Sequence, residues 1–195
     1  MNQSAQALVL ASTSVYRRVL LQKLHVEFTC CAVQVDETAL PGETGPALAL
    51  RLSIAKAQAA AANRRGLIIG SDQVAVCNGV LLGKPGTAEV AAEQLARQSG
   101  QVVAFYTAVC VLDTAANRQL TDLDSCYVHF KPLSAEQIRR YLAVEQPFDC
   151  AGSFKSEGYG ISLFERINGD DPNALVGLPL IKLCALLNQC GLLIP

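Results

Sequence analysis

The chain has 195 residues, of which 51% are hydrophobic and 17% charged, with a net charge of −1 at pH 7. That hydrophobic share excludes global disorder and is enough for one compact domain spanning 1–195, or one domain with two lobes around a cleft. The near-zero charge excludes a nucleic acid polymer or an anionic membrane surface as a non-specific partner, but not a nucleotide, which needs only a local basic pocket.

Leu8-Val9-Leu10 reads as a buried strand, and Ser12-Thr13-Ser14 as a polar turn in which any hydroxyl can cap the helix expected from Val15 to Leu24. Arg17 and Arg18 then lie in the first turn of that helix, where free N–H groups and guanidinium groups favour phosphate. Val26 to Val35 reads as a strand that runs out into Asp36-Glu37. A helix is expected from Pro46 to Asn63, carrying Lys56, with Leu48, Leu52, Ala55 and Ala59 on one face and Gly66 as its stop. Leu67-Ile68-Ile69-Gly70 is a compact strand delivering Ser71-Asp72-Gln73 at its end. Val74 to Leu82 reads as a hairpin turning at Asn78-Gly79, and it exits through Gly83-Lys84-Pro85.

Thr87 caps a helix to about Ser99, and Gln101–Asp113 and Leu120–Phe130 are paired strands around an Ala116-Asn117 turn. Ser134-x-x-Gln137 is a capping box for a helix to Val144. A glycine-rich loop follows over 151–160, in which Phe154 and Tyr159 read as packing residues, and a last helix covers Leu178 to Gln189. Alternating elements followed by a long hairpin indicate an α/β fold with a mixed twisted sheet and flanking helices.

No apolar run approaches the roughly 20 residues of a membrane span, and no secretion signal is read at the N-terminus. Eight cysteines without a C-x-x-C spacing, several within apolar runs (Cys30, Cys77, Cys110, Cys126, Cys184), read as buried free thiols of a cytoplasmic protein. Two histidines far apart leave no basis for a histidine zinc site. The apolar C-terminal helix permits a homodimer without requiring one.

The scarce charges gather in a few places: Ser12 to Arg18, Asp36-Glu37, Asp72-Gln73, Lys84 and Glu157. In open α/β sheets ligands bind beyond the carboxyl ends of strands. Cationic Arg17, Arg18, Lys56 and Lys84 suit phosphates, and acidic Asp36, Glu37 and Asp72 suit a divalent ion or a general base. Phosphoanhydride hydrolysis needs both sets, and a magnesium ion takes one or two carboxylates plus substrate phosphates. Each element alone is weak, since a helix lysine or a turn carboxylate is commonly just solvated.

Together the motifs resemble the Maf family of nucleotide pyrophosphatases over essentially the whole chain. They are Leu-Ala-Ser-Thr-Ser-x-x-Arg-Arg at 10–18, Val-Asp-Glu at 35–37, Gly-Ser-Asp-Gln-Val at 70–74, Gly-Lys-Pro at 83–85, Ala-Gly-Ser-Phe-Lys-Ser-Glu-Gly at 151–158 and Leu-Val-Gly-Leu-Pro at 175–179. The resemblance implies an ITPase-like α/β fold with two lobes around a central cleft. It implies hydrolysis of a nucleoside triphosphate to monophosphate and pyrophosphate with a divalent cation, Mg²⁺ or Mn²⁺. By the same resemblance Asp72 is the general base, Arg17, Lys56 and Lys84 hold phosphates, and Glu37 supports metal or water. Glu37 and Asp72 are thus the metal ligands it implies, while Ser12 and Ser14 line the phosphate corner and Arg18 turns away toward a structural ion pair.

Within that family the pyrimidine branch has Ser-Pro-Arg-Arg, an Asp-Thr pair and a late glutamine, where this chain has Tyr16, Gln73 and Glu157. It resembles instead the branch acting on 7-methyl-GTP, with Val15-Tyr16 in place of that branch's Pro-Trp. The chemistry points the same way. Guanine methylated at N7 is cationic and stacks on an aromatic face such as Tyr16. Its N1–H and N2–H donors suit the Glu157 carboxylate, and Gln73 adds a polar contact. The alternatives are a pyrophosphatase for dTTP, UTP or another non-standard nucleotide, and a nucleotide-binding regulator of cell division (septum formation) with little turnover.

Overall fold

The computed structural model describes residues 7–195. Its elements are β1 (Leu8–Leu10), α1 (Val15–Gln22), β2 (Thr29–Cys30), α2 (Gly45–Ala61), β3 (Leu67–Cys77), β4 (Val80–Leu82), α3 (Ala88–Gln98), β5 (Val102–Asp113), β6 (Arg118–Phe130), α4 (Ala135–Glu145), β7 (Phe164–Asn168) and α5 (Leu180–Gln189). The sheet runs β2-β1-β3-β5-β6-β7, with β4 also on β3. Its β1 is parallel to β2 and β3, whereas β4 and β7 pair antiparallel with β3 and β6, so this is the expected mixed α/β fold.

The chain divides into two compact units. The first comprises residues up to Gln73, Thr107–Asp124 and Asp171–Pro195. Strand alternation organises its core. Leu8 and Leu10 of β1 and Leu67 and Ile69 of β3 join Leu20, Leu21, Leu183 and Leu187 of α1 and α5, while Val9, Ala11 and Ile68 meet Ala57 and Ala60 of α2. Each fully buried leucine here contributes about 2 kcal/mol. α2 carries small residues on the side facing the sheet, so it lies close. An added Cβ at Gly70 would stand 2.1 Å from the Ser53 carbonyl oxygen and 2.7 Å from the Ala57 nitrogen. The buried side of α2 therefore runs through Leu48, Ala49, Leu52, Ser53, Ala57 and Ala60, shifted from the expected set, with Ala55 and Ala59 only partly buried.

The second unit comprises Val74–Tyr106 and Ser125–Asp170. Its centre is aromatic: Phe154 meets Phe105, Phe130 and Phe164 edge-on with centroids 5.3, 5.5 and 4.8 Å away, so Phe154 packs as expected. The β3–β4 turn has Asn78 at φ 49° and Gly79 at φ 78°, as an Asn-Gly hairpin requires. Caps at Thr87 and the full Ser134–Gln137 capping box start α3 and α4 where expected, each worth about 1 kcal/mol.

Four expectations are corrected. Val26–Val35 is not one strand: only Thr29 and Cys30 pair, because β1 offers two partners before the chain leaves at Ser12. α2 ends at Ala61, and Gly66 instead stands at the entry to β3, its N–H on Thr114 Oγ1 at 2.8 Å. Asp72 and Gln73 are not at a strand end but in the middle of β3, which continues to Cys77. Cys30 is exposed rather than buried, although none of the eight cysteines forms a disulfide. β7 was not anticipated, since Phe-Glu-Arg-Ile-Asn alternates too briefly to announce a strand.

Among the described residues no helix is long and apolar enough to cross a membrane.

Candidate active site

The alternation of β3 sends successive polar side chains to opposite sides. Asp72 shares parity with Ile68 and Gly70 and so faces α2, where the Lys56 ammonium donates to its Oδ1 at 2.6 Å. The same ammonium pairs with Glu37 Oε1 at 2.6 Å, so one cation holds two carboxylates, one 11% exposed and the other 60%. Burial pushes the Asp72 carboxyl above its usual value, opposed by the charges of Lys56 and Arg17 and reinforced by that of Glu37. The result is a desolvated carboxylate of raised basicity, kept in place by a lysine.

Ser71 and Gln73 have the opposite parity. Ser71 Oγ donates to the carbonyl of Ala108 (2.8 Å), with the Gly177 carbonyl at 3.2 Å. The Gln73 amide nitrogen donates to Thr107 Oγ1, Ala174 O and Leu175 O at 2.9–3.0 Å, which ties β3 to the segment before α5. Its donors are thus engaged within the fold.

Ser14 caps α1 by accepting from the Arg17 N–H (3.4 Å), and Ser12 Oγ accepts from the Ser14 N–H (3.1 Å). The two arginines diverge. Arg17 is partly buried and donates through Nε to the Gly177 carbonyl at 2.8 Å; burial lowers its pKa, while the charges of Asp72 and Glu37 counter that effect. Arg18 is exposed and, rather than entering an ion pair among the described residues, lines a cavity of about 230 Å³ with Ser12, Thr13, Ser14, Cys30, Cys31 and Ala32. Tyr16 is partly buried one residue before Arg17.

The loop that carries Glu37 is fixed from α2. Arg51 of α2 clasps Glu43 with Nε and Nη2 at 2.7 and 2.8 Å and also donates to the Thr38 carbonyl at 2.9 Å. It thereby holds the loop that presents Glu37, and an Arg five positions before Lys56 was the available signal. This clasp, with the Leu40 N–H, lowers Glu43 to about 2 from 4.5. A depressed carboxyl contributes stability that is complete above its unfolded value and vanishes as pH falls through the folded one. Glu43→Gln is therefore expected to be less stable than the wild type at neutral pH, with the two urea midpoints converging near the folded value of about 2; a constant difference at every pH would contradict the clasp.

In the second unit, Lys84 is exposed just beyond β4, and Glu157 is exposed on the loop before β7, with the Ser156 hydroxyl 3.3 Å from its Oε2.

No group of three or more His, Cys, Asp or Glu residues among the described ones forms a metal cage. Glu37 and Asp72, which share one lysine nitrogen, nevertheless fit a hard divalent cation whose remaining positions are filled by phosphate oxygens and water.

A family model described as "Maf-like protein" matches residues 7–190. Proteins named 7-methyl-GTP pyrophosphatase are similar across nearly their whole length. One from Pseudoalteromonas atlantica is 50% identical over 93% of this chain and 94% of its own, and one from Polaromonas sp. is 52% identical over 96% and 86%. Among solved structures, a HAM1 protein from Coxiella burnetii shares the fold, with a TM-score of 0.55 at 14% identity, covering 94% of this chain and 99% of that one. The near-complete family match and the identity of about half over nearly the whole length lead to one assignment: the chain belongs to the Maf family.

Proposed function

We propose that the protein is a nucleoside triphosphate pyrophosphatase that hydrolyses 7-methyl-GTP to 7-methyl-GMP and diphosphate, clearing a modified nucleotide from the pool. The observation that carries the reading is the buried Asp72 carboxylate, held at 2.6 Å by Lys56 and flanked electrostatically by Arg17 and Glu37. A pure binder has no need of a desolvated base beside cations.

In this reading Asp72 accepts a proton from the attacking water, and its raised basicity suits that role. Lys56 and Arg17 neutralise charge developing on the phosphates, and Lys84 serves as a further cation for them. Ser12, Ser14 and the N–H groups at the start of α1 receive phosphate oxygens. Glu37 and Asp72 hold the divalent cation, Mg²⁺ or Mn²⁺, which when bound supplies Lewis-acid neutralisation of the phosphates. Tyr16 stacks on the cationic base, and Glu157 accepts from its N1–H and N2–H edge. Gln73 acts by bracing the 174–175 segment rather than by donating to the base. Eight cysteines outside any disulfide support a cytoplasmic setting, and Ile181, exposed on α5, offers an apolar contact for a homodimer.

The deciding experiment is pyrophosphate release by the purified protein with Mg²⁺ or Mn²⁺ against a nucleotide panel. 7-methyl-GTP is expected to show the highest kcat/KM. Preference for UTP or dTTP would replace it with the pyrimidine reading, and no release from any nucleotide would favour a binding regulator.

A further inference from the structure

The second unit carries an aromatic, expected to pack, whose ring is only half covered. Tyr159 is 51% exposed, although its backbone is firmly held. Its N–H donates to Glu145 Oε2 at 2.6 Å, at the end of α4. Glu145 also reaches Lys155 Nζ at 3.7 Å, and an added Cβ at Gly158 would stand 2.7 Å from Glu145 Oε2. Tyr141, buried on α4, accepts the Lys155 N–H through its hydroxyl at 3.2 Å. Its ring lies 6.1 Å from that of Tyr159 at 31°, so Tyr159 has an aromatic neighbour on the α4 side. The Lys155–Tyr159 turn is thus fixed at both ends by α4, and the two side chains it exposes are Glu157 and Tyr159.

An electron-rich ring and a carboxylate two residues apart on one rigid turn form a matched pair for a flat cation with hydrogen-bond donors on its edge. The ring takes the positive face through cation–π attraction, and the carboxylate takes the donors. A neutral guanine offers the same donors without the positive charge, so aromatic contact is what distinguishes methylated from unmethylated base.

We infer that Tyr159 is a specificity-determining residue that stacks on the N7-methylated guanine ring, with Glu145 and Tyr141 as the residues that position it. The inference rests on the proposed 7-methyl-GTP reading and adds a residue that the motifs did not mark. A rigid turn lowers the ordering cost of that contact, because neither the loop nor the ring must be immobilised on binding.

The test uses the absence of tryptophan from the chain. In Tyr159→Trp the introduced indole is the sole tryptophan. Its emission is expected to be quenched saturably by 7-methyl-GMP and much less by GMP. In Tyr159→Leu the KM for 7-methyl-GTP is expected to rise about tenfold, about 1.4 kcal/mol, with the KM for GTP changing much less. Glu145→Ala is expected to reproduce part of that loss of selectivity and Glu145→Gln to restore it, since the glutamine oxygen can still accept the Tyr159 N–H. Unquenched emission together with an unchanged KM ratio, in an enzyme that still hydrolyses 7-methyl-GTP, would overturn the role of Tyr159 alone. A wild-type protein that does not hydrolyse 7-methyl-GTP would overturn both this inference and the reading beneath it.

Discussion

Asp72→Asn is expected to lower kcat for 7-methyl-GTP by about 10³-fold, within the range typical of a lost general base, while the nucleotide still binds. The substitution keeps the size of the side chain and removes its charge. Lys56 then retains only Glu37 as a carboxylate partner, so one positive charge is less neutralised and phosphate binding holds or strengthens. Binding is read by calorimetry with a non-hydrolysable triphosphate, and turnover by pyrophosphate release. A thermal melt at or above the wild-type value is expected, because burial disfavours the Asp72 charge. Turnover within an order of magnitude of the wild type would place the base elsewhere.

Gly70→Ala is expected to cost about 3 kcal/mol of stability, at the upper end for overpacking a tight contact, and to remove activity in whatever fraction remains folded. The added methyl cannot coexist with the Ser53 carbonyl at 2.1 Å or the Ala57 nitrogen at 2.7 Å, and both belong to helix backbone, which yields far less readily than a side chain. α2 must move off β3. Because Lys56 reaches Asp72 from that helix, the same shift separates the lysine from the carboxylate two residues beyond the glycine. Urea denaturation reads the first effect and pyrophosphate release the second. A urea midpoint equal to that of the wild type would show that the helix accommodates the methyl and would remove the basis of the second effect.

Local signals in the sequence suffice where they rest on short-range chemistry. The Thr87 and Ser134 caps, the Asn78-Gly79 turn and the Phe154 packing follow from hydrogen bonds, dihedrals and apolarity, whereas any of three hydroxyls can precede α1 and the folded chain selects Ser14 as its cap. Long-range pairing decided the rest. The stretch 26–35 has strand character throughout, but a strand is as long as its neighbour permits, and β1 permits two residues. The polar run Ser71-Asp72-Gln73 has the composition of a strand end because polar residues are costly inside a sheet. It lies mid-strand because each side chain finds a partner there: Ala108 and Gly177 for Ser71, Lys56 for Asp72, and Thr107 with the 174–175 carbonyls for Gln73.

By itself the sequence determined the chemistry on offer: the fold class, the family motifs, a set of carboxylates and cations suited to a phosphoanhydride, and one turn rich in hydroxyls and arginine. Only the tertiary structure decided which groups meet. It placed Asp72 on the α2 side of β3 and Gln73 on the other, sent Arg17 inward to Gly177 and Arg18 to an exposed cavity, and gave Glu37 its anchor through Arg51. Strand parity and the distance between a helix and a sheet set those outcomes. Both depend on which elements pack together, and no spacing within a single motif encodes that.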